Sequence, residues 1–164
     1  MKSSSYYLTF KIHKWYFAIP VTRISAILEK PDFLKKESEL DFMKGIQITE
    51  NGVIPIIDSA KVLGLNDCGS HGTQQVLLCT FSVSRHLFKM GWKVHELSSV
   101  IEIDSEMVEC ASMDPALPFG CMTNGSIYYE GRVIYIIDLE KVFTEDGLLD
   151  VYNDMRKSLG MKVG

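Results

Sequence analysis

Leu8, Phe10 and Ile12 alternate with Tyr7, Thr9 and Lys11, the period-two pattern of a half-buried strand. After a turn at His13-Lys14, Trp15, Phe17 and Ile19 continue the alternation as a second strand. Pro20 is expected at its end, because proline cannot donate to a central ladder. Val21, Ile24, Ile27 and Leu28 are spaced as on a helix face, but they also fit a short turn feeding a strand through Ile27-Leu28. Pro31 cuts the segment short and favours the strand. Residues 32–44 are charged and read as a loop. Gly45 opens the next strand, Ile46 to Thr49, and Asn51-Gly52 marks a hairpin, since a type I′ turn needs positive φ at both central residues. Val53 to Ile57 returns. Asp58 is placed to cap a helical turn, Ser59 to Leu63, that Gly64 ends. Residues 66–73 form a polar link.

Beyond the link, strands are expected near 75–83, 87–94, 98–103, 120–129 and 132–138, with Pro115 and Pro118 in a long connection. Leu148, Tyr152, Met155 and Leu159 fall at i, i+4, i+7 and i+11, which predicts an amphipathic C-terminal helix within about residues 145–160.

The second half repeats the first. VIPIIDSAKVL, Val53 to Leu63, returns as VIYIIDLEKVF, Val133 to Phe143, with seven of eleven positions identical. Thr9 to Ile12 with Phe17 to Ile19 recurs as Thr80 to Val83 with Phe88 to Met90, and Ile24 to Glu29 as Leu97 to Glu102. Three matches in one order describe a duplicated unit of roughly 70–80 residues, too long for a solenoid repeat. Many short strands, written twice, predict an all-β chain of two small lobes, about 6–65 and 74–143, each resembling a five-stranded SH3-like barrel. A helical tail, 144–164, follows. Barrels this small are filled by their own side chains, so the seam between the lobes is the natural binding place.

Composition narrows the partners. A net charge of −4, with Lys and Arg scattered, supplies no phosphate-tracking face, so nucleic acid is not an expected partner. No apolar run approaches the roughly 18 residues of a membrane span. The first residues lack a signal core, so the expected location is cytoplasmic, without membrane insertion. Cys68, Cys79, Cys110 and Cys121 contain no C-x-x-C pair and are expected to be free thiols, with Cys79 a core residue. Asn124-Gly125-Ser126 is read as a turn.

Chemistry is hard to find. Nucleotide-binding, zinc-protease and serine-hydrolase motifs are absent. His13, His71, His86 and His95 lack metal-ligand spacing. His95 and Glu96 are strand neighbours that point to opposite faces. Asp58 and Asp138 are equivalent in the repeat but lack the Asp-Thr-Gly context of a duplicated protease dyad, which leaves helix capping. Tyr6, Tyr7, Phe10, Trp15, Tyr16 and Phe17 have too few cations nearby for base stacking and are assigned to packing. The chain is read as a non-enzyme without cofactor or metal.

GIQITENGVIPIID, Gly45 to Asp58, resembles the G-[VI]-x-N-x-R-G-x-[VI]-[IL]-P-[VI]-[VI]-D hallmark of the CheW-like domain family. That family includes the bacterial chemotaxis coupling protein and the regulatory domain of the CheA kinase. Tyr7 to Phe10 with Tyr16 to Pro20, Ile24 to Ile27, Gly91 to Val94 on to Ile101, and Gly131 to Phe143 resemble further family segments in order, over about residues 6–143. The resemblance implies two SH3-like barrels and a non-catalytic adaptor. Such an adaptor couples a chemoreceptor's cytoplasmic tip to the regulatory domain of a CheA-type histidine kinase. It also implies contact residues: Ile24, Ile27, Leu28, Glu50 and Asn51 toward the receptor, and Gly91, Leu97 and Val100 toward the kinase.

Several polar family positions are rewritten. Glu50 stands where the family has arginine, Ile48 where it has asparagine, Asn51 where it has glycine, Ala26 where it has an acidic residue, and His95 where it has aspartate. A reversed contact charge typically costs more than a neutral swap. Two alternatives to the adaptor with ordinary partners therefore stand: a coupling protein whose partner has changed, and a sensor binding a small ligand in the seam.

Overall fold

A computed structural model of the chain describes residues 3–29, 34–35, 40–50, 52–65, 75–83, 85–109 and 117–160. The link at 66–73, His71, Cys68, Cys110, Pro115 and Asn51 lie outside the described residues. The strands are β1 Ser4–Ile12, β2 Trp15–Pro20, β3 Ile24–Leu28, β4 Leu34–Lys35, β5 Met43–Thr49, β6 Gly52–Asp58, β7 Gln75–Val83, β8 His86–Val94, β9 Glu96–Asp104, β10 Thr123–Tyr129 and β11 Arg132–Ile137. The helices are α1 Ser59–Val62, α2 Leu139–Val142 and α3 Glu145–Ser158. The expected tail helix is therefore present. The segment expected to be loop from 32 to 44 contains the two-residue β4, paired through Leu34 with Ile46. Asn124-Gly125-Ser126 lies not in a turn but in β10. There Gly125 adopts φ 102°, the register against β11 shifts, and Ser126 pairs with Glu109. This is a bulge; a Cβ on Gly125 would lie 2.4 Å from the Glu109 carbonyl oxygen.

Among the described residues two sheets form, with orders β10-β11-β2-β1-β9 and β3-β7-β8-β6-β5-β4. We call them sheet A and sheet B. They do not divide along the chain at residue 74, as two contiguous lobes would. The first hairpin, β1-β2, joins β9, β10 and β11 from the second half. The hairpin β7-β8 joins β3, β5 and β6 from the first. Under the sequence repeat β1 matches β7, β2 matches β8, β3 matches β9, β5 matches β10 and β6 matches β11. The two sheets then have one topology, including a parallel pair at the same place, β11 beside β2 and β6 beside β8. The duplication is real, and its copies have exchanged their opening hairpins.

The pleat explains how three cores arise from this exchange. One face of β1, β2, β7 and β8 carries Leu8, Phe10, Ile12, Phe17, Ile19, Leu77, Cys79, Phe88, Met90, Trp92 and Val94 into a single core shared by both sheets. The opposite faces serve smaller cores. Ala18, Ile101, Ile103, Ile127, Ile134 and Ile136 fill sheet A, and Ile54, Ile56, Val76 and Leu78 fill sheet B. The sheet A cluster takes residues from both end strands, so the sheet must curl. Each fully buried aliphatic side chain contributes roughly 1.5–3 kcal/mol, and the shared core holds most of them. The two halves are therefore expected to fold as one cooperative unit.

Both copies end alike. The Asp58 N–H donates to the Phe42 carbonyl and the Asp138 N–H to the Met122 carbonyl, at 2.7 and 2.9 Å. Each aspartate then accepts from the backbone two residues on, Ala60 or Glu140, at 3.0 Å. Both are helix N-caps, as their sequence context implies, and they do not converge in a cleft. Cys79 is buried in the shared core, where burial pushes its thiol up to about 12.

Candidate docking groove

β9 is an outer strand of sheet A and β3 an outer strand of sheet B. Where they approach, Leu8, Val21, Ile24, Ser25, Ala26, Ile27 and Val100 line a groove of about 330 Å³. Local sequence explains its character. The chain leaves sheet A after Pro20, makes one 3₁₀ turn at Val21–Arg23, and enters sheet B as β3. Alternation along β3 points Ile27 outward, while Ala26 and Leu28 pack on the sheet B core. In β9, Val100 points outward opposite Leu8 of β1. Ile27 is 42% exposed and Val100 56%, so two apolar side chains of the groove stand open to water. The two residues hold the same position in the two copies of the repeat.

The wall offers contact rather than chemistry. Its one hydroxyl, on Ser25, donates to the Leu78 carbonyl at 3.1 Å. Ala26 leaves no carboxylate where the family places one. Among the described residues no group of His, Cys, Asp and Glu could hold a metal.

The expected site residues separate. Ile24 and Ile27, expected toward the receptor, share the groove with Val100, expected toward the kinase. Leu28 is half-buried against the sheet B core. Leu97 is half-buried against the shared core. Gly91 is buried, and a Cβ there would lie 2.3 Å from Ile56 Cδ1 and 2.9 Å from Val76 Cγ1, so it serves close packing and presents no side chain to a partner. Glu50 is exposed at the β5–β6 hairpin, where Gly52 adopts φ 125°. Leu8 and Val21 were not among the expected contact residues, although Val21 shares a spacing pattern with Ile24 and Ile27; Leu8 reads as an ordinary core position, and it is one that also lines the groove. Exposed apolar residues on the hairpins also escaped notice. Ile48, paired with the half-buried Val53, is 59% exposed, and on the repeat Tyr128, paired with the exposed Val133, is 69% exposed.

Behind the groove lies a polar cluster. Arg23 meets Glu140 at 2.9 Å, and Asn124 donates to Asp138 at 2.7 Å. Burial raises the Glu140 carboxyl and its hydrogen bond with Asp138 adds to that, against its own backbone N–H and the Arg23 charge. Burial also works to raise Asp138. Hydrogen bonds from the Glu140 and Asn124 side chains and the Glu140 N–H, with the Lys141 charge, outweigh it and hold Asp138 below the usual aspartate range.

Fold and groove define a class: a duplicated SH3-like β protein with an open apolar groove between its sheets. Comparison with known proteins places it further. Residues 6–147 match the CheW-like domain, and the chain belongs to that family. It is 23% identical to chemotaxis protein CheW of Thermotoga maritima over 84% of this chain and 87% of that protein. It is 24% identical to chemotaxis protein CheV3 of Helicobacter pylori over 79% of this chain and 41% of that protein. The fold is similar to the crystal structure of scaffolding protein TtCheW from Thermoanaerobacter tengcongensis, with TM-score 0.75 and 19% identity over 88% of this chain and 96% of that one.

Proposed function

We propose that this CheW-like protein is a coupling adaptor in chemotaxis-type signalling, acting in the cytoplasm without catalysis. Its partners are the cytoplasmic tip of a chemoreceptor and the regulatory domain of a CheA-type kinase. The observation that carries the reading is the apolar groove between β3 and β9. An amphipathic helix lays an apolar ridge into such a groove, with anchors one turn apart. A receptor tip is a helical hairpin and supplies that ridge. Ile24, Ile27 and Val100 are the proposed contacts, with Leu28 behind them; Glu50, exposed on the β5–β6 hairpin, is proposed as a further receptor-side residue. The kinase contact is proposed for the part of β9 around Leu97.

The groove's apolar lining argues against a small metabolite bound there, since such a ligand needs a few convergent polar groups to fix it. Glu50 supports a variant of the adaptor reading, in which the receptor-side partner is neutral or basic where ordinary partners are acidic. The reading is tested by sedimentation. Receptor-bearing vesicles should carry the kinase down only when this protein is present. Kinase sedimentation that is equal with and without the protein would refute coupling.

A further inference from the structure

The groove's two walls belong to different sheets, so its width depends on how the sheets are held apart. Leu8 and Val100 come from sheet A, and Ile24, Ala26 and Ile27 from sheet B. The chain crosses between them at Val21–Arg23, a three-residue turn with no side-chain cap and no buried residue. Val21 and Ile24, on either side of this turn's end, both line the groove. Arg23, between them in sequence, reaches away from it to Glu140 at 2.9 Å. Glu140 stands on α2, which follows β11 of sheet A directly. Asp138 caps that helix and holds Asn124 of β10, so Glu140 rests on a fixed base. A cavity of about 180 Å³ beside this turn has a mixed lining, with Arg23, Asn124, Asp138 and Glu140 among apolar residues such as Val108 and Ile136.

We propose that the Arg23–Glu140 ion pair is a tether that sets the width of the docking groove, making both residues positioning residues for the helix that binds there. The docking half of this statement rests on the proposed receptor contact; the tether itself does not. Both partners are more than a third exposed or close to it. Such a pair adds little to global stability, so its loss should be felt at the groove and not in the melting of the fold.

The test uses the full chain with Arg23→Gln, Glu140→Gln and the exchanged pair Arg23→Glu with Glu140→Arg. Two readouts separate the two halves. The first is the NMR methyl signals of Val21, Ile24, Ile27 and Val100, with Ile127 and Ile134 of the sheet A core as controls. Each single variant should move the groove methyls and leave the controls in place, and the exchanged pair should restore them. The second is affinity for a soluble chemoreceptor cytoplasmic hairpin, which each single variant should weaken by about two- to fivefold, with recovery in the exchanged pair. Unmoved groove methyls would overturn the tether. Moved methyls with unchanged affinity would overturn the positioning role. Failure of the wild-type chain to bind the hairpin would overturn the docking reading, and the methyl signals alone would then decide the tether.

Discussion

The Tyr152 hydroxyl closes on the Lys89 backbone, accepting from its N–H at 2.9 Å and donating to its carbonyl at 2.5 Å. The repeat explains why a side chain is needed there. Lys89 corresponds to Ala18, which β11 covers through Ile136. In sheet B the parallel pairing of β6 with β8 runs only from Ile56 opposite Gly91 to Asp58 opposite Lys93. Pro55, where the other copy has Tyr135, has no N–H to continue it. α3 fills the gap with Tyr152, packs its ring against Phe88 with centroids 5.5 Å apart and planes tilted by 51°, and buries Leu148, Val151 and Met155. Partial burial raises the Tyr152 hydroxyl, which keeps it protonated as the donor.

Truncation after Phe143 should therefore lower the urea midpoint markedly. Tyr152→Phe keeps the ring and loses the two hydrogen bonds, at a cost of about 1–2 kcal/mol. Leu148→Ala should cost about 2–5 kcal/mol. Urea melts check all three, and a truncated chain as stable as the full one would show that the helix is not docked.

Gly91→Ala is expected to act on folding. The new methyl meets Ile56 and Val76 inside sheet B, and overpacking of this kind costs about 1–3 kcal/mol. Any loss of partner binding should follow the fraction unfolded. A variant with the wild-type midpoint and weakened kinase binding would return Gly91 to the contact surface.

Much of this was legible in the sequence and some could not be. Strand spans follow from alternation, because the pleat alone decides which side chains face inward. Duplication follows from matched words such as Val53 to Leu63 and Val133 to Phe143. The exchange of hairpins does not, because Phe10 and Phe17 present the same apolar face as Cys79 and Phe88, and either hairpin could serve either sheet. Burial of Gly91 leaves no pattern, since a glycine's reason to be small lies in its neighbours. The groove was half legible. Ile24, Ile27 and Val100 were named, but placed on two surfaces, because matching repeat positions does not tell that the pseudo-equivalent strands meet.

Glu140 and Asp138 should titrate in opposite senses. On lowering the pH, Glu140 should protonate above the ordinary glutamate range and Asp138 below the ordinary aspartate range. The Asp138 contribution to stability is present above its unfolded value and lost as pH falls through the depressed folded one. The raised Glu140 works the other way: its contribution is full at low pH and lost as pH rises through the folded value. Carboxyl carbon shifts followed by NMR separate the two, and two ordinary midpoints would contradict the cluster's geometry.

Glu50→Arg should leave folding intact, because exposed hairpin positions tolerate change. Binding to a conventional receptor hairpin should strengthen and binding to the native partner should weaken, both effects shrinking with added salt. Equal binding of wild type and variant to both partners at two salt concentrations would remove the hairpin from the recognition surface.

The groove itself is tested most directly by calorimetric titration of a soluble chemoreceptor hairpin into the wild-type chain, Ile27→Glu, Val100→Glu and the control Tyr128→Glu. Ile27 and Val100 are exposed enough to accept a carboxylate without unfolding, and a charge buried unpaired under a docked helix costs several kcal/mol. Both groove variants should lose binding by about a hundredfold or more with wild-type melting, and Tyr128→Glu should bind as the wild type does. Undiminished binding by Ile27→Glu and Val100→Glu would contradict the groove as the docking surface.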